Sequence, residues 1–437
     1  SFIPQVLKAG VRVLVTERPV EEELKNSGLS EDELKQVTVV MVEEGRHALA
    51  LLSAARFDHP AKKLVMIGVT GTKGKTTTTH MIRAILLAAG KKVGMIGTTG
   101  TVIGDVVTPT LNTTPESYEL HQAFAQMVEA GCEYAVMEVS SQGIKMHRTD
   151  GLYFNYAIFT NISPDHIGPG EHADFEEYLY YKTRLLNMCG IGLVNKDDKH
   201  APQIIKAANC ELYTYSEESK EADFVASDIR YVSQPDFVGT EFHISGKYDM
   251  EVRLGIPGLF NVVNALAAVS VCSFLGLDQA RISHALENIR VNGRMEIVYT
   301  SERCTVLVDY AHNAVSMESL LSTLRDYKPK RLVCVFGCGG NRSKDRRYSM
   351  GEIGGKMADL SIITADNSRY EKVEDIIADI RGSIEKTGGK FIEIPDRREA
   401  IRYSILHAQP GDMVAVIGKG HEDYQEINGV RHHFLDR

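Results

Sequence analysis

Short apolar runs rich in β-branched residues recur along the middle of the chain, and most are separated by stretches with helical periodicity. They lie at residues 64–69, 93–98, 134–139, 157–160 and 192–194. Strands that alternate with helices form mostly parallel sheets, because each helix carries the chain back to the start of the next strand. The pattern therefore predicts a central α/β unit that begins near residue 63.

Two further α/β segments flank this unit. Residues 1–62 show helix, strand, charged helix, strand and helix, too little for a complete domain, so we expect the remnant of a small unit with more chain upstream. Residues 293–437 alternate strand and helix again. Between them, residues 222–256 alternate with β periodicity, which predicts a hairpin flap. The pattern thus divides the chain into domains at 1–62, 63–292 and 293–437.

Composition narrows the class of protein. A length of 437 residues fits two or three domains of about 150 residues. The net charge of -9 argues against non-specific binding to nucleic acid, so anionic substrates must be held by local groups. The seven cysteines lack metal or disulfide spacing, which predicts reduced structural thiols. Without an apolar stretch of about 18 residues or a secretory leader pattern, we expect a cytoplasmic protein.

A turn rich in glycine and lysine, residues 71–77, follows the first apolar run and precedes a helical stretch at 80–89. Its glycines let successive N–H groups point inward, and the N-terminal end of the next helix is positive, so the turn can hold phosphates. Lys75 and Thr76 have the spacing to reach phosphate and Mg²⁺. Val69 stands where the common phosphate-loop pattern has glycine, so this is a variant loop. It predicts a site for a nucleoside triphosphate.

Polar residues gather at the ends of two other predicted strands. Glu138 closes one strand, where ligands collect in open α/β sheets, so it can hold Mg²⁺ or, alternatively, cap the next helix. The next strand ends with Asn161, Asp165 and His166, a polar group that favours metal or nucleotide contact over core packing. Lys182, judged by its neighbours alone, lies on a solvated helix face.

Eight segments follow one another in the order found in the Mur ligases. They are residues 70–77, 112–115, 138–141, 160–166, 261–264, 293–296, 309–312 and 418–422. Each is weak alone, but their joint order is specific and covers nearly the whole chain. The chain therefore resembles the Mur ligase family. The resemblance implies three α/β domains, with a central ATP-binding parallel sheet that carries a P-loop and a C-terminal Rossmann-like domain.

The resemblance also implies a nucleotide site. ATP would be bound by Gly71, Thr72, Lys73, Gly74, Lys75, Thr76, Thr77, Asn264, Arg294 and Asp309, with Asn264 facing the adenine. Thr76 and Glu138 would hold one Mg²⁺, and His166 would lie near a second. Lys182 matches the family's carbamylated lysine, whose carbamate binds metal and positions the transferred phosphate, and this replaces the solvated-helix interpretation. The implied catalytic residues are Lys75, Glu138, His166 and Lys182.

Among Mur ligases the chain looks like those that add the third residue to UDP-N-acetylmuramoyl-L-alanyl-D-glutamate. Residues at positions that hold the UDP-muramoyl peptide are Asn112, Thr113, Thr114, Ser140 and Arg148. The uridine pocket should lie largely in the first domain, where its motifs are not visible. Gln142 replaces a histidine common after the Ser-Ser pair, which puts one substrate contact in question.

The implied reaction begins when ATP phosphorylates the D-glutamate side-chain carboxylate, with Lys75 and Mg²⁺ offsetting charge. An amine then attacks the acyl phosphate and leaves an amide. The amino-acid site would comprise Arg342, Asp366, Asn367, Ser368, Arg369, Gly418 and Glu422. Arg369 and Arg342 can pair with the distal carboxylate of meso-diaminopimelate, which L-lysine lacks. Ser368 replaces the proline of the family's DNPR signature and loosens the turn at Arg369, so L-lysine or another diamino acid stays an alternative.

Two rival classes remain. A ligase like folylpolyglutamate synthetase would share the phosphate loop and the carbamylated lysine, but residues 112–115 and 366–369 favour a muramoyl peptide. A P-loop nucleotide-switch protein would hydrolyse nucleotide without an acceptor, and a separate amino-acid pocket disfavours it. We expect a monomer whose partners are its small substrates, with no nucleic acid and no membrane.

Overall fold

The computed structural model describes residues 2–437. Its α-helices are α1 (Ile3–Lys8), α2 (Glu21–Lys25), α3 (Glu31–Leu34), α4 (Gly45–Arg56), α5 (Lys75–Ala88), α6 (Ser117–Glu129), α7 (Ser141–Lys145), α8 (Phe175–Thr183), α9 (Ala201–Ala207), α10 (Leu259–Phe274), α11 (Gln279–Glu287), α12 (Ala314–Asp326), α13 (Asp345–Met357), α14 (Val373–Thr387) and α15 (Arg397–Leu406). Short 3₁₀ segments lie at Pro60–Lys63 and Arg184–Asn187.

The β-strands are β1 (Val13–Thr16), β2 (Thr38–Met41), β3 (Val65–Thr70), β4 (Val93–Gly97), β5 (Gly100–Ile103), β6 (Val106–Thr108), β7 (Tyr134–Glu138), β8 (Phe154–Phe159), β9 (Cys189–Asn195), β10 (Glu211–Ser216), β11 (Phe224–Gln234), β12 (Phe237–Gly246), β13 (Met250–Leu254), β14 (Glu296–Thr300), β15 (Cys304–Asp309), β16 (Arg331–Phe336), β17 (Leu360–Ile363), β18 (Phe391–Glu393), β19 (Asp412–Ile417), β20 (Tyr424–Ile427) and β21 (Val430–His433).

These elements form two compact units. The first unit comprises residues 1–72, 91–192 and 203–212, and the second comprises residues 73–90, 193–202 and 213–437. The phosphate loop therefore contributes Gly71 and Thr72 to the first unit and its remaining residues, with α5, to the second. The three domain boundaries expected from sequence stay a prediction.

The first unit is built on a mainly parallel sheet. Its strands follow the order β8-β3-β7-β4-β5-β6, and β8, β3, β7 and β4 are parallel. Strands β3 and β7 are buried along nearly their whole length, as expected for central strands covered on both faces. The predicted parallel sheet is confirmed, and the carboxyl ends of β3, β7 and β8 carry the candidate site residues.

Three local predictions need correction. The charged helix expected between the first two strands is two helices, because Gly28 takes a left-handed φ of 78° and Ser30 starts α3 with a capping box. Helix α5 begins at Lys75 and not near His80, since Thr76 to Thr79 are buried helical residues despite their β-branched side chains. The antiparallel hairpin β5–β6 was missed.

The second unit contains a β-rich layer and a Rossmann-like sheet. The segment expected to be a hairpin flap is a three-stranded antiparallel meander, β11-β12-β13, so the hairpin prediction was wrong by one strand. Helix α10 is apolar on almost every face and correspondingly buried. The C-terminal sheet has the order β14-β15-β19-β16-β17-β18, parallel except for β14.

A buried ion pair fastens the end of the chain to this sheet. Arg397, at the start of α15, binds Asp436 through two hydrogen bonds of 2.6 Å and donates a third, of 2.9 Å, to the carbonyl of Ile417. Both side chains are completely buried, so each charge depends on the other. The last residues therefore hold the carboxyl end of β19, from which the candidate amino-acid site extends.

The structure bears on two expectations from composition, which concern membrane-spanning segments and the state of the cysteines. Among residues 2–437 no helix combines the length and apolarity needed to cross a membrane. All seven cysteines are free thiols. Burial raises the pKa of Cys338 to about 12, which keeps that thiol protonated and unreactive.

His121 makes the stability of the first unit depend on pH. It is almost completely buried on α6, and neither ring nitrogen has a hydrogen-bond partner among the described residues. Burial lowers its pKa from 6.5 to about 4. The unfolded chain therefore takes up this proton at a higher pH than the folded chain, and the free energy of unfolding falls as the pH drops from about 6.5 towards 4.

We predict that His121→Leu flattens this acid-side loss by on the order of 2 kcal/mol. Thermal melting of wild type and variant at several pH values between 4 and 7 measures the difference. The exposed His284, changed to leucine, is the control, and its pH profile should follow wild type. Parallel profiles for wild type and His121→Leu would contradict the assignment.

Candidate active site

The phosphate loop approaches its neighbours too closely for side chains at two glycines. Gly71 has a φ of 143°, and a Cβ there would overlap Thr160 Oγ1 at the end of β8. Gly74 has a φ of 86°, and a Cβ there would overlap Asn264 Oδ1 in α10. Both positions therefore need glycine for conformation and for space. A backbone without side chains leaves its N–H groups accessible to an anion.

Lys182 is a buried group of this site and not part of a solvated face. It is 2% exposed in the last turn of α8. Its Nζ donates a 2.8 Å hydrogen bond to the carbonyl of Gly71 and lies 4.7 Å from the ring centre of Tyr178. The local-sequence interpretation was therefore wrong, and the position implied by the family resemblance agrees with the burial.

Tyr178 joins three residues singled out from the sequence and was itself missed. Its hydroxyl lies 3.1 Å from Thr72 Oγ1, and its ring centre lies 6.2 Å from that of His166. Burial raises the pKa of Tyr178 to about 12, so the phenol stays protonated. Its partners lie far away in the chain, and a tyrosine in a helix gives no local signal for such a role.

His166 lies on the exposed side of this group. Its backbone has a left-handed φ of 53°, and Nδ1 lies 3.0 Å from Glu171 Oε1. The ring is about half exposed. Because Glu171 orients one nitrogen, the other can face a ligand, an arrangement common for metal-binding histidines. Asp165 and His166 lie at the surface, whereas the contact of residues 160–166 with metal or nucleotide stays a prediction.

Glu138 ends β7 as a buried carboxylate, 1% exposed. The backbone N–H and hydroxyl of Thr98 donate to it at 2.9 and 3.2 Å. The alternative role, as a cap for the next helix, is taken by Ser140, which accepts from the N–H of Gly143. Glu138 thus remains a carboxylate held by two donors at a strand end, with the chemistry of a magnesium ligand.

The residues expected to hold the UDP-muramoyl peptide form a hydrogen-bonded group next to Glu138. Thr114 Oγ1 donates to the carbonyl of Glu138 and accepts from the N–H of Ser140 at 2.9 Å. Arg148 donates to the carbonyl of Thr114 at 3.1 Å. Thr113 Oγ1 lies 3.0 Å from Thr98 Oγ1. Three of the five predicted residues, Thr114, Ser140 and Arg148, are therefore joined directly, and Thr113 is connected to them through Thr98 and Glu138.

The other residues of this region are less constrained. Asn112 is half-buried beside the exposed Leu111. Gln142, the departure from the family pattern, has a buried Nε2 with no hydrogen-bond partner in the part of the chain that the structure describes. An unsatisfied buried donor is costly, so this amide is a group that a bound molecule could satisfy.

In the second unit, the rest of the phosphate loop meets the start of α10. Lys75 begins α5, and Thr76 and Thr77 are buried in its first turn, whereas Lys73 is exposed. Asn264 lies 3.4 Å from Thr78 Oγ1 and donates to Asn261 at 3.2 Å. The predicted adenine-facing residue therefore contacts the first turn of the loop helix through its amide oxygen.

Arg294 and Asp309 are likewise close to each other. Asp309 accepts hydrogen bonds from the N–H groups of Met295 and Ala311 at 2.8 and 2.7 Å, while burial raises the pKa of its carboxyl. The guanidinium of Arg294 lies 4.8 Å from the ring centre of Tyr310. Burial, reinforced by the cations Arg83 and Arg294, lowers the pKa of His80 on α5 to about 4.

The candidate amino-acid site surrounds a buried lysine that sequence reasoning did not assign. Lys419 is fully buried, and its Nζ lies 3.2 Å from Asn367 Oδ1, 3.3 Å from Glu422 Oε2 and 3.8 Å from Asp366 Oδ1. Asn367 also donates to Glu422 at 3.0 Å. Gly418 has a φ of 114° and passes beside Asp366. Four predicted residues are thus fixed around one cation.

Arg369 extends from this group with a fixed backbone. Its φ is 52°, and its N–H and carbonyl both bond to strand-end residues of the β20–β21 hairpin, Glu426 and Asn428. Its guanidinium donates to the carbonyl of Gly340 at 2.7 Å and lies 3.5 Å from Glu426 Oε2. Arg342 is exposed, and Ser368 is buried. The hairpin therefore holds Arg369 despite the missing proline.

A phosphate loop, an acidic strand end and a buried charged cluster on α/β sheets are typical of a nucleotide-dependent enzyme. Family models match at residues 69–272, as the Mur ligase middle domain, and at residues 293–420, as the Mur ligase, glutamate ligase domain. The chain belongs to the Mur ligase family, and it is an ATP-dependent amide ligase.

Two similar proteins and one similar solved structure share a name. The chain is 39% identical over 432 residues to the UDP-N-acetylmuramoyl-L-alanyl-D-glutamate--2,6-diaminopimelate ligase of Caldanaerobacter subterraneus subsp. tengcongensis, covering 98% of this chain and 85% of the relative. It is 37% identical over 445 residues to the protein of that name from Clostridium perfringens, covering 100% and 88%. A solved structure of that name matches with a TM-score of 0.73 and 31% identity, covering 97% of this chain and 89% of the other.

We predict that Gly74→Ala weakens ATP binding about tenfold or more, because the new Cβ would overlap Asn264 and strain the loop. Calorimetric titration with a non-hydrolysable ATP analogue measures the loss. Gly90→Ala is a matched control, since Gly90 has a φ of 77° and no atom within 4 Å of an added Cβ. Unchanged affinity in Gly74→Ala would contradict a nucleotide role for this loop.

Proposed function

We propose that this ligase joins meso-diaminopimelate to the D-glutamate of UDP-N-acetylmuramoyl-L-alanyl-D-glutamate during peptidoglycan precursor synthesis. The proposal is supported by the printed names of relatives that align over 98–100% of the chain. The observation that carries the choice of amino acid is the buried charged cluster around Lys419, to which Arg369 is connected through Glu426.

The reaction follows from the weakness of a carboxylate as an electrophile. Transfer of the γ-phosphoryl group of ATP to the D-glutamate side chain gives an acyl phosphate and ADP. The neutral amine of the amino acid adds to the acyl carbon and loses a proton, and phosphate leaves with its bonding electrons, so an amide remains. The assigned role of Lys75 and the loop N–H groups is to offset phosphate charge during transfer.

The side chains assigned to magnesium have suitable chemistry, each taken by itself. Glu138 offers a buried carboxylate already held by Thr98, and Thr76 offers a buried hydroxyl at the first turn of α5. Oxygen ligands of this kind suit Mg²⁺. When bound, Mg²⁺ neutralises phosphate charge and orients the γ-phosphoryl group. His166 is the assigned ligand of a second ion.

Lys182 is proposed to act as a carbamate. Its neutral amine would attack the carbon of CO₂, forming an N–C bond while one C=O electron pair moves to oxygen and a proton passes to water. The product is an anion in place of a cation. Burial supports this role, because a buried lysine lacks the hydration that stabilises a charged ammonium group in water. The carbamate would then take part in metal binding and in positioning the transferred phosphate.

The distal end of meso-diaminopimelate carries both an ammonium and a carboxylate group. Glu422 and Asp366 offer acceptors for the ammonium, and Arg369 with Arg342 offers a cationic pair for the carboxylate. L-Lysine has the ammonium but not the carboxylate, so it would leave the arginines unpaired. L-Lysine or another diamino acid remains the second candidate, since Arg369 already has Glu426 at 3.5 Å and Ser368 replaces the signature proline.

The proposal also includes a cytoplasmic setting, where ATP and UDP-linked precursors are available, and a monomeric enzyme. The net charge of -9 supports a protein without nucleic-acid or membrane partners. Light scattering on the purified chain tests the monomer directly.

We predict that Arg369→Ala raises the KM for meso-diaminopimelate about 10- to 100-fold, the loss expected for a charge-assisted hydrogen-bond pair. Turnover with L-lysine, measured by phosphate release and product mass, should change much less. Arg369→Lys keeps the charge without the planar fork and should fall between. The surface residue Arg402, changed to alanine, serves as control. Equal losses with both amino acids would overturn the pocket assignment.

We predict that Lys182→Arg lowers kcat about 100-fold or more, since arginine keeps a cation but forms no carbamate. The ¹³C NMR spectrum of wild type equilibrated with ¹³C-bicarbonate should show a carbamate carbon that the variant lacks. Lys62→Arg, at an exposed position, should retain both the activity and the signal. A fully active Lys182→Arg enzyme would exclude the carbamate role.

A further inference from the structure

Two histidines of the first unit converge on one carboxylate that the ligase reaction does not use. His47 Nδ1 lies 2.6 Å from Asp150 Oδ2, and His147 Nδ1 lies 2.8 Å from the same oxygen. One ligand atom from each of the three residues lies within 4.8 Å of the others. We call His47, His147 and Asp150 the two-histidine cluster.

The cluster joins separate parts of the first unit. His47 lies in the first turn of α4, whereas His147 and Asp150 lie in the turn that follows α7. His147 has a left-handed φ of 57°, uncommon for a residue other than glycine. The two imidazole rings are nearly perpendicular, with centres 6.3 Å apart. They therefore approach the carboxylate from different directions and do not stack on each other.

We propose that this cluster binds a divalent transition-metal ion of the Zn²⁺ type. Imidazole nitrogens with one carboxylate are ligands that Zn²⁺, Co²⁺ and Ni²⁺ accept, whereas Mg²⁺ prefers oxygen ligands alone. Bonds of about 2.0–2.1 Å to a tetrahedral ion place ligand atoms roughly 3.3 Å apart, so each distance from Nδ1 to the carboxylate oxygen lengthens by about 0.6 Å to admit it. Each histidine would bind through an unprotonated Nδ1, so that its single ring proton lies on Nε2.

The exposure of the cluster suits an ion that exchanges with solvent. The side chains of His47, His147 and Asp150 are 51%, 37% and 21% exposed. Three protein ligands leave a fourth position for water. Entry needs no unfolding, because His47 lies at the surface.

Two ion pairs lie next to the two-histidine cluster and connect the same two segments of the chain. Arg46 and Arg148 both bind Glu116, at 3.2 and 2.7 Å. Each arginine is the chain neighbour of a cluster histidine. The start of α4 and the turn at 147–150 are therefore connected twice, through Asp150 and through Glu116. A bound ion would restrict the turn that carries Arg148. This consequence, unlike metal binding itself, rests on the proposed role of Arg148 in holding the UDP-muramoyl peptide.

The test is Co²⁺ titration of the full untagged chain, stripped of metal and supplied with excess Mg²⁺ to fill oxygen-ligand sites. Visible absorption reports nitrogen-coordinated Co²⁺, and calorimetry gives the stoichiometry. We expect one tight equivalent in wild type, weakened at least tenfold in His47→Ala and in Asp150→Asn. His284→Ala, which removes an exposed histidine elsewhere, should bind as wild type does. Zn²⁺ should raise the Tm of wild type and not that of His47→Ala.

Co²⁺ affinity and absorption in His47→Ala equal to those of wild type, or no Co²⁺ absorption in wild type, would overturn the proposal and leave a hydrogen-bonded surface cluster. His47 is exposed, so circular dichroism should show a folded variant, and Asp150→Asn keeps the shape of the site. No nucleotide or muramoyl peptide enters the titration. Its failure therefore leaves the ligase proposal intact, and failure of the ligase proposal leaves metal binding intact.

Discussion

At Gly71 the phosphate loop passes so close to the end of β8 that no side chain would fit between them. This close approach lets the N–H of Thr72 bond to the carbonyl of Asn161 at 2.9 Å. It also places the carbonyl of Gly71 within reach of Lys182. Loop, strand end and α8 are thereby fixed together by contacts within the protein. Such preorganisation is what transfer of a charged group requires, because the protein need not reorganise during the reaction.

Three other buried charged groups of the candidate sites also have defined partners. Glu138 receives two hydrogen bonds from Thr98, and Asp309 receives two from backbone N–H groups. Lys419 is surrounded by an amide and two acids. Buried charges with defined partners hold their positions, and a partner displaced by substrate would be replaced by a ligand group of the same sign. The ligase thus meets anionic and zwitterionic substrates with local groups on an acidic protein.

Much of this could be predicted from sequence where the signal is local. The parallel sheet followed from apolar runs, and the phosphate loop followed from its glycines and lysine. The extra strand of the β11–β13 meander was missed because alternation alone does not show how many strands a segment forms. The start of α5 was misplaced because four threonines disfavour helix locally, while burial in the folded chain overrides that preference.

The unpredicted site residues depend on contacts between distant parts of the chain. Tyr178 meets Thr72 across 106 positions, and Lys419 meets Asn367 across 52. The sequence around Tyr178 and around Lys419 does not indicate which residue each will contact. Burial of Lys182 was similarly invisible, and only the family resemblance singled it out. The glycines of the phosphate loop could be recognised from sequence, because a tight turn and a close backbone approach both require glycine at the position itself.

The proposed reaction depends on activation of the substrate's carboxylate by phosphorylation from ATP. The most direct measurement uses UDP-N-acetylmuramoyl-L-alanyl-D-glutamate with ¹⁸O in the side-chain carboxylate of D-glutamate, together with ATP, Mg²⁺ and meso-diaminopimelate. An acyl phosphate requires that one ¹⁸O atom appear in the released phosphate, in step with amide formation. Phosphate that carries no ¹⁸O would show that water or another group received the phosphoryl, and would contradict the account.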